Sequence, residues 1–168
     1  MRRELGKELR KVFSAYLQQQ YPDFQLCKKY KDTDGSVLFE YKAGTLPRLF
    51  LLLFIPNKPL CDKFTIECIV VSDDSSPLSA AHTFDPKIEA ATAYNFRIPR
   101  LWEGRMDHWW ELSPDMDYSK ITDAMELLNT KDEPIELGLA RIEPQVQDAI
   151  VKIGEYVVPY FEKMRASK

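Results

Sequence analysis

Two histidines, three cysteines and a shortage of long apolar runs are the scarcities that first narrow the reading of this 168-residue chain. His82 and His108 belong to no H-x-x-x-H or H-E-x-x-H pattern, so the spacing does not set two imidazoles on one helical face as a metal site of that kind requires. Cys27, Cys61 and Cys68 form no C-x-x-C pair, and an odd number of thiols spread through strand-like segments fits small buried side chains in a reducing compartment. The longest strongly apolar run, Leu49 to Ile55, falls far short of the roughly 20 residues a membrane-spanning helix needs. The start, Met1-Arg2-Arg3-Glu4-Leu5, runs into an amphipathic pattern with Glu4 and Glu8, without the unbroken apolar region of a secretory signal. A cytoplasmic protein with no membrane partner is expected. No nucleotide-cradling motif, catalytic-triad pattern, internal repeat or low-complexity segment is present, so neither a cofactor nor a metal is expected.

What the chain does have is ordinary for a folded domain: 45% apolar and 29% charged residues, unlike the composition of a disordered segment. A chain of this length buries roughly 70% of the surface its unfolded form exposes, so residues 1–168 are read as one α+β domain. The net charge of −3 is unevenly spread: residues 1–48 carry ten Lys or Arg against six Asp or Glu, whereas residues 103–143 carry eleven acidic against four basic. The acidic stretch suits a basic protein partner and repels nucleic acid, although a solvated face has the same composition. Lys28, Lys29 and Lys31 beside Tyr30, with Arg2, Arg3, Lys7, Arg10 and Lys11, would give nucleic acid some purchase. Glu4, Glu8 and the overall acidity argue against it, and lysines that guard a strand edge account for the same residues.

Leu5, Leu9, Val12, Phe13, Tyr16 and Leu17 recur at helical spacing and predict an amphipathic helix over residues 3–20, stopped by Tyr21-Pro22-Asp23. The period then changes. Phe24 to Cys27, the turn residues Asp32 to Gly35, and the alternation of Val37, Phe39 and Tyr41 predict a hairpin. Leu49 to Ile55 has too little polar alternation for a strand with one wet face and is expected to be central and covered on both sides. Phe64, Ile66, Cys68 and Val70 alternate through a fourth strand, completing an antiparallel meander. Residues 72–94 read as a loop with a helical turn at Ile88 to Tyr94; further strands are expected at 95–102 and 107–112. Helices follow at about 118–130 and from near Pro144, the latter interrupted at Pro159, which offers no amide hydrogen and clashes with the preceding turn. The expected architecture is α+β: a mainly antiparallel sheet of about five or six strands with the N-terminal helix and the C-terminal helices packed on it.

All three tryptophans fall between Phe96 and Leu112, in Phe96-Arg97-Ile98-Pro99-Arg100-Leu101-Trp102 and Asp107-His108-Trp109-Trp110-Glu111-Leu112. The pairing of Arg97-Ile98-x-x-Leu101 with Asp107-x-Trp109-Trp110-x-Leu112, between a strand meander and a C-terminal helical region, resembles a bacterial family known as domain of unknown function 4304. Many members of that family carry glycine after the Arg-Ile pair, where this chain has Pro99. The resemblance implies a small cytoplasmic bacterial α+β domain with no established activity. Toxin-neutralising immunity proteins include domains of this size and type, which is an analogy of style and not of motif.

Two readings of this segment stand side by side. In one it serves protein binding: Trp109 or Trp110 anchors the contact, and Asp107, Glu111, Asp115 and Asp117 steer a basic partner. In the other Arg97 or Arg100 holds an anionic ligand against a tryptophan wall while His108 transfers a proton, as in a binding domain or weak enzyme. A structural alternative accompanies both, since Arg97 and Asp107 can pair across neighbouring strands by parallel hydrogen bonds. Trp109 and Trp110, being consecutive, must point to opposite faces if the segment is extended, so at least one is expected in the core and the other either packs under a helix, leaving both covered by the terminal helices, or stays exposed as a contact residue.

Overall fold

The alternation of residues 24–71 materialises as a four-strand antiparallel meander in the computed structural model, which describes residues 1–28, 35–44, 46–56, 62–82, 93–102, 107–113 and 134–166. Strands β1 (Phe24–Leu26), β2 (Val37–Tyr41), β3 (Arg48–Phe54) and β4 (Lys63–Val71) pair in succession. Beyond β4 the sheet gains β6 (Ala93–Arg97), antiparallel to it, and then β5 (Ala81–His82), parallel to β6. The order is β1-β2-β3-β4-β6-β5, and a two-residue strand β7 (Trp110–Glu111) pairs with the start of β4. β4 therefore has β3 along one side and, on the other, β6 at its end and β7 at its beginning.

Helix α1 (Arg3–Gln20) has the bounds its periodicity predicts and lays Leu5, Leu9, Phe13 and Leu17 on the sheet. Burial of each of these side chains is worth about 2 kcal/mol. Helix α2 (Ile135–Lys152) packs beside it, and Gly138 makes the close approach possible, since a Cβ there would come within 3.0 Å of both Leu5 methyl carbons. The interior faces of both helices belong to one cluster with the inward residues of the sheet, among them Phe39, Leu51, Ile66, Cys68 and Phe96. The other sheet face carries a smaller cluster of Leu38, Phe50, Leu52, Ile69 and Val71. β3 contributes to both clusters, as expected for a strand covered on its two sides.

Several boundaries differ from the sequence-based expectation. The C-terminal helix begins at Ile135, nine residues before Pro144, which lies inside it. Pro144 and Ala140 are both exposed, so the carbonyl that proline deprives of a partner lies on the solvent side of the helix. The interruption expected at Pro159 takes the form of a π-helical turn, Ile153–Val157, closed by the Val158 amide on the Ile153 carbonyl and followed by helix α3 (Val158–Ala166). Segment 72–94 is no continuous loop, because β5 and the first residues of β6 fall within it. The strand expected at 95–102 ends at Arg97 and gives way to a 3-10 turn, Ile98–Leu101, with Pro99 in its first positions. The strand expected at 107–112 shrinks to two residues. The helix expected at 118–130 and residues 88–92 of the expected helical turn lie outside the described residues.

A polar clamp fastens α3 to the end of β2. Lys42 Nζ donates to Glu162 at 2.6 Å, the Tyr41 hydroxyl donates to the same carboxylate, and Arg165 donates to the carbonyls of Tyr41 and Lys42 at 2.7 and 2.6 Å. Lys42 adopts a left-handed backbone, φ 45°, and Gly44 follows at φ 93°, where glycine alone is unstrained. The hydrogen bond from Lys42, with that from Tyr41, holds the Glu162 carboxyl below the ordinary carboxylate range. Hydrogen bonding to Glu162 raises Lys42. Tyr41 is raised first by burial and then by the same carboxylate.

Because the folded value of Glu162 is depressed, its contribution is complete above the ordinary carboxylate value and disappears as pH falls through the lowered one. The raised values of Lys42 and Tyr41 work in the opposite sense, contributing below their ordinary values and fading as pH rises through the folded ones. Urea melts of the parent and of Glu162→Gln should therefore differ near neutral pH and converge as pH falls through the lowered Glu162 value. A constant difference from pH 7 to pH 3 would contradict the clamp. Gly154 offers a second check, since an added Cβ would stand 1.9 Å from the Tyr21 hydroxyl oxygen. Gly154→Ala should cost about 1–3 kcal/mol, as overpacking typically does, and much less in a Tyr21→Ala background; equal costs in both backgrounds would show that Tyr21 is not the obstacle.

Candidate functional site

Segment 107–112 is fixed to the sheet and to α2 by contacts on both of its sides. β7 pairs Trp110 with Phe64 and Glu111 with Lys63, the Thr65 hydroxyl donates to the His108 carbonyl at 2.8 Å, and the Leu112 amide donates to the Asp62 carbonyl at 2.7 Å. Arg141 of α2 donates to the Leu112 carbonyl at 3.1 Å. The side chains then alternate, with His108 and Trp110 turned toward the helix-covered face and Asp107 and Trp109 toward the other.

Trp110 is core. It is 1% exposed, stacks on Phe64 with centroids 5.3 Å apart and planes 13° from parallel, and donates its indole N–H to Asp148 of α2 at 2.9 Å. His108 meets it edge-on at 4.6 Å and meets Trp102 at 6.1 Å, while Trp102 in turn packs on Tyr156 of the π-helical turn at 5.2 Å. This row of rings ties Trp102 and residues 108–110 to the C-terminal helical region.

On the opposite face Trp109 is half-buried and enclosed by charge. Its indole N–H donates to Asp107 Oδ2 at 2.9 Å, and Asp107 Oδ1 accepts from Arg97 Nη1. The Arg97 guanidinium carbon lies 4.7 Å from the Trp109 ring centre and Lys63 Nζ lies 4.6 Å from it, both within cation–π range. Phe54 of β3 approaches the ring at 6.1 Å. Arg97 has a second carboxylate, its Nε standing 3.4 Å from Glu67, its register partner on β4, and Lys63 stands 3.7 Å from Glu111. The Asp107 side chain keeps 48% of its surface in solvent and Arg97 keeps 24%, so the network is ordered yet reachable.

The pairing of Arg97 with Asp107 thus exists, though Asp107 lies in the stretch before β7 and not within a strand. Arg97 and His108 are not brought to a shared pocket, because they occupy opposite faces of the sheet; Arg100 sits in the 3-10 turn after β6. A cleft of about 190 Å³ lined by Met1, Arg2, Arg3, Gly6, Arg10, Ile55 and Pro56 includes none of these residues. Asp115 and Asp117 lie outside the described residues. Among the described residues no three His, Cys, Asp or Glu side chains form a group able to hold a metal ion, and no helix is long and apolar enough to cross a membrane. No family model, curated protein or solved structure matches this chain.

Lys63, Glu67 and Asp148 are site residues that reading the sequence missed. The alternation of Phe64, Ile66 and Cys68 already places Lys63, Thr65 and Glu67 on the opposite face, but only the register of β4 with β6 and β7 brings them to Trp109. Asp148 had no local signal, being an exposed helix residue whose carboxylate reaches one indole. Asp148→Ala should leave that buried N–H without its acceptor and cost about 1–3 kcal/mol in urea unfolding, with Asp148→Asn recovering part of the loss. A change within a few tenths of a kcal/mol for both variants would remove Asp148 from the account.

Proposed function

We propose that this chain is a non-enzymatic protein-binding domain, akin to the domain of unknown function 4304 family, and that its most concrete role is to neutralise a toxin inside a bacterial cytoplasm. The observation that carries the reading is the Trp109 patch: an aromatic side chain fixed by Asp107, Arg97 and Lys63 on the sheet face opposite the described helices, and still partly open to solvent. Tryptophan and arginine are the residue types most enriched at binding hot spots. A side chain already held in place loses little freedom when a partner arrives, which lowers the cost of association. Asp107 and Glu111 at the rim, with Asp115 and Asp117 in the acidic 103–143 stretch, suit a basic partner. Trp110 takes no part in contact, since it is committed to the core.

An affinity capture from lysate of the source organism, run with the parent and with a folded Trp109→Ala variant, tests this reading. One basic protein recovered stoichiometrically by the parent and lost with the variant is the expected result. Its association rate should fall when Glu111, Asp115 and Asp117 are neutralised together, and fall more at low salt than at high salt. Equal recovery by parent and variant, or no protein recovered, would sink the proposal and turn attention to anionic metabolites as ligands.

A further inference from the structure

Asp107 was placed among the carboxylates that attract a partner, but its two oxygens have another use. One accepts from Arg97 and the other accepts the Trp109 indole N–H at 2.9 Å, so a single side chain fixes both the cation and the ring it touches. Indole orientation has two torsions to settle, and cation–π attraction constrains the faces of a ring far more than its rotation in plane. The N–H···carboxylate bond supplies the missing in-plane constraint, and its ionised acceptor makes it stronger than a neutral bond. Arg97 is itself held from the other side by Glu67, which is buried in β4, so the ring is referenced to the centre of the sheet and not to a loose surface group.

We propose that Asp107 is the positioning residue of the partner-binding surface: through the Trp109 indole N–H and Arg97 it presents the tryptophan in one orientation, and it sets how long a complex lasts. This rests on the protein-binding reading of the same patch. A ring free to rotate would pay its ordering cost on binding and complementarity would suffer, an effect that appears mainly in the dissociation rate.

The test has two arms. In the free protein labelled with nitrogen-15, the Trp109 indole resonance is the one absent from Trp109→Phe, and the Trp110 resonance reports that the core is intact. Asp107→Ala should shift the Trp109 resonance and speed its exchange with solvent about tenfold, Asp107→Asn should partly restore both, and Trp110 should stay in place. An unchanged Trp109 resonance and exchange rate in Asp107→Ala overturns the proposal without any partner being needed. With the protein captured by the parent, Asp107→Ala should raise the dissociation rate about tenfold, with Asp107→Asn intermediate. If Trp109→Ala abolishes binding while Asp107→Ala leaves the dissociation rate unchanged, positioning is overturned. If Trp109→Ala binds as well as the parent, the protein-binding reading itself has failed, a result separable from the indole measurement.

Discussion

Strand β4 is the constraint on which the rest of this structure depends. Its residues 63–71 form hydrogen bonds to β3 along one side and share the other side between β6 and β7. One face of the strand, Phe64, Ile66, Cys68 and Val70, enters the large cluster beneath the helices, and the other carries Lys63, Thr65 and Glu67 before turning apolar at Ile69 and Val71. Because strand side chains alternate, a shift of one residue in the pairing of β4 with β7 would exchange Trp110 for Trp109 in the core. The Trp110–Asp148 hydrogen bond and the Thr65 bond to the His108 carbonyl both oppose such a slip.

That dependence explains which features could be read from the residues alone. Helix α1 and the meander were legible because their periods are regular and their turns carry glycine, proline or aspartate between apolar runs. The start of α2 was not, because Pro144 resembles a first-turn residue, whereas the apolar face extends back through Ile142 to Gly138. Around the tryptophans, the opposition of Trp109 and Trp110 followed from adjacency alone. Their surroundings did not: Lys63 and Glu67 lie some forty residues away in the chain, and only strand register connects them to the ring.

The two faces also differ in how they satisfy their polar atoms. On the helix side a row of rings runs from the half-buried Tyr156, Trp102 and His108 to the buried Trp110, Phe64 and Phe13, with the indole N–H of Trp110 answered by a carboxylate. On the other side Arg97 lies between Glu67 and Asp107, and Lys63 lies near Glu111, so cations and carboxylates alternate around one half-buried ring. Exposed pairs of this kind contribute little to stability singly. Their effect here is geometric, because each charge restricts where its neighbour and the ring between them can go.

This division separates the tryptophans as experimental probes. A substitution at Trp110 removes a core ring and its bond to α2, so any loss of binding that follows is confounded with loss of folding. Trp109 lies on the face where no described helix packs, and its removal leaves the helix-side cluster with all its members. Charge substitutions need the same care. Neutralising Asp107 or Glu111 changes the distant field by one unit in either case, so encounter rates alone do not tell attraction from positioning. The distinction appears only at short range, where Asp107 accepts the Trp109 indole N–H and Glu111 pairs with Lys63.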